Sequence, residues 1–167
     1  MDLGDVAAWA WARHHNVLSW YVRPLFLLPF CYFAYRRSLS GIALTLVLLA
    51  TSMAWFPAPQ TVSPGVKAML DAERAYLAGT WTPAKVALAL LVPASLTALA
   101  AAFWRRSFGW GLAVINAMVA VKVTWTFVVS PVEGALAHLA PALVGLVICN
   151  AVLLFLRQQR EFLPKRL

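Results

Sequence analysis

Apolar residues fall into five long runs separated by short polar stretches. The fourth run, Phe108 to Val129, is 22 residues with no acid, no proline and a single charge, Lys122. At about 1.5 Å per residue such a helix rises roughly 33 Å, enough to cross a hydrocarbon core of about 30 Å. Runs at 84–104 and 132–156 are as apolar, and 41–56 is shorter. The first, 17–35, is interrupted by Arg23, Pro24 and Pro29. In lipid every backbone polar group must find its partner within the spanning structure, so these runs predict helices. A barrel would alternate polar and apolar residues with period two, and no such alternation is present. The pattern therefore predicts an all-α, polytopic integral membrane bundle. It has five transmembrane helices plus short interfacial helices, with residues 1–167 as a single membrane domain.

The polar stretches carry the stops and starts. Residues 1–16 are too polar to span. Asp2 and Asp5 can cap a short helix there, and Trp9 and Trp11 suit a membrane interface. The same residues begin acidic and lack a cleavable apolar core, so no secretory signal is expected in them. The first span needs to start near Asn16 to be long enough, which predicts a kink at Pro24 and a second at Pro29. Arg36-Arg37 and Arg105-Arg106 each precede a tight turn. Within 57–82, Ser63-Pro64 opens and Gly79 closes an amphipathic outer helix. Its apolar side is Val66, Met69, Leu70, Tyr76 and Leu77; its charged side is Lys67, Asp71 and Arg74. Thr82-Pro83 starts the third span. Ser130-Pro131-Val132-Glu133 reads as a capping box that starts the fifth. On that last helix Gly134, His138, Pro141, Gly145 and Cys149 recur every three or four residues, a small-residue face suited to close helix packing. Residues 157–167 form a basic tail.

Composition agrees with the pattern. The chain is 62% hydrophobic and 12% charged, with a mean hydropathy of +0.75. Soluble domains carry about 25% charged residues, so a water-soluble fold is excluded. The net charge of +8 lies in pairs at helix ends rather than along a stripe, so no nucleic-acid partner is expected. Counting flanks, the Arg36-Arg37 side receives eight basic residues: Arg36, Arg37, Arg105, Arg106, Arg157, Arg160, Lys165 and Arg166. The opposite side receives four, Arg13, Lys67, Arg74 and Lys85, with five of the six acids. The positive-inside rule then places the N-terminus outside and the C-terminus in the cytoplasm of a bacterial cytoplasmic membrane.

Ionisable residues that topology does not explain gather toward the outer side. Lys122 and Arg23 each sit about 10 Å below the surface, where a mid-membrane cation costs about 2.5–3.5 kcal/mol on insertion scales. With His138, Glu133 and Trp125 they make a candidate ligand-binding set. Charged residues within spans usually face a bundle interior or wet cavity. The competing reading has Lys122 and Arg23 snorkel to the headgroups. His14 and His15 are adjacent and point about 100° apart on a helix, so no metal site is expected. No nucleophile motif is present, no catalytic residue is assigned, and no cofactor is named by the sequence. Cys31 and Cys149 read as packing residues, and Asn116 and Asn150, at similar depth, as a pair bonding across helices.

Three functions fit this reading. The first is an oligomeric transporter, channel or ligand-binding protein with a basic, polar site in the outer half. The second is a scaffold or assembly subunit of a larger membrane complex, supported by the small-residue face. The third is a membrane enzyme acting on a lipid or isoprenoid through His138 and Glu133. Membrane lipids are partners in all three, with homo-oligomers or a larger complex as further partners.

Overall fold

A computed structural model describes residues 2–162. Among them the chain is all helix and turn, without strands. α1 (Leu3–His14) is capped by Asp2, which accepts from Asp5 N at 2.8 Å while Asp5 caps Asp2 N in return. Asn16 caps α2 (Val17–Leu25), accepting from Leu18 N at 3.0 Å. α3 (Leu27–Tyr35) continues the same span after a break at Phe26. The break falls between the two predicted kinks. Pro29 has no N–H to offer the Leu25 carbonyl, so α2 ends at Leu25 rather than bending only at Pro24.

α4 (Leu39–Thr51) and a 3-10 turn (Ser52–Ala54) form the short second apolar segment. Among the described residues four helical segments are long and apolar enough to cross a membrane: Val17–Tyr35, Pro83–Trp104, Phe108–Val129 and Val132–Gln159. Leu39–Ala54 is shorter, rising roughly 24 Å. It nevertheless runs back along the whole of α2–α3. At its far end Asn16 Nδ2 donates to Pro57 O at 2.9 Å and the Phe26 and Trp55 rings meet at 5.4 Å.

α5 (Pro64–Ala78) starts at the Ser63 cap with Pro64 in the first turn. α6 (Pro83–Trp104) and α7 (Phe108–Val129) form an antiparallel hairpin. α8 (Val132–Phe162) reaches into the expected tail, and the remainder of that tail, residues 163–167 with Lys165 and Arg166, lies outside the described residues.

The two double-arginine turns are built alike. Arg37 and Arg106 adopt left-handed backbone, φ 57° and 58°. Ser38 N bonds Phe33 O and Ser107 N bonds Ala102 O, each at 2.9 Å, closing a Schellman-type stop. Arg37 Nε then donates to Trp104 O at 3.3 Å and ties one turn to the other.

Two apolar cores result. At the double-arginine end Phe30, Cys31, Ala34, Leu99, Phe103, Ile115 and Leu153 bring α3, α6, α7 and α8 together. At the opposite end Trp20, Val66, Met69 and Leu70 form a second cluster from α2 and α5, with Trp11 and Ala137 against it. α6 takes no part there, and from Thr82 to Ala94 every residue except Lys85 is exposed. The bundle is thus closed at one end and open along α6 at the other.

The small-residue face of α8 is used inside the chain. Gly145 meets Pro24 so closely that a Cβ would collide with it, and the Cys149 thiol points to Pro24 O at 3.5 Å. Asn116 and Asn150 pair as predicted: Asn116 Nδ2 donates to Asn150 Oδ1 at 2.9 Å, and Asn150 Nδ2 returns a bond at 3.3 Å. Such bonds average about 0.6 kcal/mol in membrane proteins. A double-mutant cycle with Asn116→Leu and Asn150→Leu is expected to give a coupling of about that size in detergent unfolding. A coupling of zero would refute it.

Candidate functional site

The site begins with how α5 is held. Its apolar side lies across the first turns of α8 at backbone contact. A Cβ on Gly65 would stand 2.8 Å from Glu133 O, and one on Gly134 would stand 2.8 Å from Met69 N. Lys85, buried at the start of α6, fixes the other end. Its Nζ donates to Tyr76 O and to Gly79 O and lies between the Tyr76 and Trp81 rings, 4.5 and 4.6 Å from their centroids. A cation on the last carbonyls of a helix satisfies acceptors that have no partner within it. Tyr76 in turn stacks edge-on against Trp125 of α7 at 5.6 Å.

This docking brings Glu73 to the cleft that Lys122 lines. His14 Nε2 stands 3.9 Å from Glu73 Oε2. The His14 imidazole first, and then the charges of Lys122 and Arg23, hold the Glu73 carboxyl below the usual carboxylate range, against burial, which pushes it up. Glu73, Lys122, Tyr76, Trp125, Thr126 and Ser130 line a cleft of about 150 Å³ between α5 and α7. Arg23, half-buried on α2, is not among the residues lining the cleft and donates from Nε to Ser52 Oγ at 3.4 Å. His138 is half-buried on α8 with its ring 5.7 Å from Trp20. The other neighbour of Trp20 is His14, whose ring lies at 6.3 Å and whose carbonyl accepts from Trp20 Nε1 at 3.1 Å.

Lys122 lies on the inward line of α7. Gly111, Ile115 and Thr126 are buried and Met118 is half-buried; Lys122 continues this series four residues after Met118 and four before Thr126. It is exposed on that line because the bundle is open at this end.

Glu133 stands apart. It is exposed in the first turn of α8 and is not among the residues lining the cleft. The predicted capping box is also changed: the Ser130 hydroxyl donates to Met69 Sδ at 3.2 Å, because α5 is seated over the start of α8. The carboxylate that lines the cleft with Lys122 is Glu73. Its signal was in the sequence, since Glu73 follows Val66, Met69 and Leu70 at spacings of seven, four and three, a lone acid on an apolar stripe. His14 was the other omission. It is buried, and its Nδ1 has no hydrogen-bond partner among the described residues. His15 points elsewhere, its Nδ1 2.9 Å from Trp11 O.

Glu73 makes acid stability testable. Its folded value lies below the unfolded one of about 4.3, so its contribution is complete above that pH and is lost as pH falls through the folded value. Wild type is expected to lose more thermal stability than Glu73→Gln on acidification below about pH 4.3. Identical acid limbs for the two proteins would count against the pairing.

No known protein family, curated protein or solved structure matches the chain.

Proposed function

We propose that this integral membrane protein binds a small anion in the cleft between α5 and α7, as a transporter, channel or ligand-binding protein. The observation that carries the reading is a cleft lined by one cation, Lys122, and one carboxylate, Glu73, with the charge of Arg23 also acting on that carboxylate. With the histidines counted neutral the cluster carries one net positive charge, and a monoanion completes it. Charged side chains at membrane depth are retained where they pair or line a pathway. Trp125 and Tyr76 supply the apolar wall, while His138, on α8, packs against Trp20 outside the cleft lining. The basic flanks support an arrangement with the N-terminus outside, which would open the cleft to the exterior.

The scaffold reading loses its main support, because the small-residue face of α8 packs against α2 and α5 of the same chain. The enzyme reading needs Glu133 beside His138, whereas Glu133 is exposed and His138 packs on Trp20.

Tryptophan fluorescence of the detergent-purified protein tests the proposal. Propionate should quench saturably, its neutral isostere propionamide should not, and Trp125→Phe should remove the response. Equal responses to propionate and propionamide would sink the anion reading.

A further inference from the structure

A cavity of about 400 Å³ lies at the other end of the molecule, between α3 and α8. Its origin is the break at Phe26. Up to that point α8 is pressed against α2, with Gly145 on Pro24. Beyond it α3 turns to pack on α6, leaving few contacts with α8, and a wedge opens between the two. Buried Cys31, Phe103 and Leu153 form its floor, and Leu28, Val152 and Leu156 its walls. Its polar residues are concentrated toward the mouth, where Arg36 and Gln159 sit.

Three properties together define an occupant. First, the groove is too apolar to hold ordered water, which needs several polar partners. Second, it extends along α3 from Leu28 to Arg36, eight residues or roughly 12 Å, close to the half-thickness of about 15 Å that one acyl chain fills. Third, its charge is at the end of the span, where lipid phosphates lie. Arg37 is engaged with Trp104 O, and Arg106 lies over the Tyr35 ring at 5.4 Å, whereas Arg36 is exposed and lines the groove. A guanidinium matches a phosphate with two parallel hydrogen bonds. Arg36, Arg37, Arg105 and Arg106 all belong to the two turns at this end, which favours a lipid with net negative charge over a zwitterionic one.

We propose that this groove is a phospholipid site: one acyl chain of an anionic phospholipid lies between α3 and α8, with its phosphate on Arg36. The site is separate from the anion cleft and does not depend on it. The lipid fills the wedge left by the Phe26 break and so braces α3 against α8.

Native mass spectrometry of the full chain, released from mild detergent with phosphatidylglycerol or phosphatidylcholine of identical acyl chains, tests this. Wild type should retain one phosphatidylglycerol per chain, on the order of tenfold more than phosphatidylcholine. Arg36→Ala should lower that preference most, while Arg105→Ala, which removes the same charge outside the groove, should lower it less. Val152→Trp should evict both lipids by filling the wedge, with Leu156→Trp as a second filling variant should the first misfold. Equal retention of the two lipids would overturn the proposal. So would an Arg36→Ala protein that keeps the preference, or a dimer that forms in place of the bound lipid.

Discussion

Lys122→Met is expected to abolish propionate quenching while leaving helical content and thermal unfolding at wild-type levels. The substitution takes the cluster from one net positive charge to none. A methionine at that depth also avoids the insertion cost of about 2.5–3.5 kcal/mol that a central cation carries, so the fold has no reason to weaken. Lys122→Arg should restore part of the affinity, since the guanidinium keeps the charge but presents it as a planar fork. Glu73→Gln should act in the opposite direction. It removes the carboxylate already beside Lys122 and Arg23, raises the net charge to two, and should tighten propionate by on the order of tenfold, about 1.4 kcal/mol. Opposite signs in propionate affinity for the two variants distinguish a binding site from a structural ion cluster, in which neither would bind better. If Lys122 only snorkels, Lys122→Met binds as wild type does.

The second large effect is expected at Gly134. A Cβ there would meet Met69 N at 2.8 Å, Met69 Cα at 3.0 Å and Ala68 C at 3.3 Å. All three are backbone atoms of α5, so no side-chain rotation relieves the contact. Gly134→Leu must therefore lift α5 off α8, at a cost of about 1–3 kcal/mol typical of overpacking. Lifting α5 also carries Glu73 away from Lys122 and breaks the seat of Ser130 on Met69. The variant should unfold at lower temperature, become sensitive to protease within 57–82, and respond less to propionate. Gly109→Leu is the control, because a Cβ at Gly109 meets nothing within 4 Å. Equal stability of the two leucine variants would show that α5 is not held by this contact.

Much of the architecture was legible because it is local. Helix starts at Asp2, Asn16, Ser63 and Thr82 are set by a side-chain oxygen bonding a backbone N–H two or three residues on. The Asn116–Asn150 pair was legible as well, since two amides at equal depth in adjacent apolar helices have little else to bond. The end of α2 was less so, because two prolines five residues apart each remove a bond and the chain can break at either or between them. The start of α8 at residues 130–133 differs from the expected capping box for a related reason. A capping motif describes one helix end in isolation, and here another helix lies across it.

The sequence by itself determined the class of molecule, the helices and the basic turns, because hydropathy, period and capping act over a few residues. Tertiary structure decided that Glu73, marked in the sequence only as a lone acid on an apolar stripe, shares a cleft with Lys122, and it decided where the bundle opens. Glu73 is 50 residues from Arg23 and 49 from Lys122 along the chain. What brings them together is the seating of α5 on α8 through Gly65 and Gly134, a crossing geometry that no window of hydropathy contains. The openings have the same character. α6 stands off the bundle from Thr82 to Ala94, and α3 leaves α8 beyond Phe26, because each helix follows the neighbour it packs on rather than any pattern written along its own length.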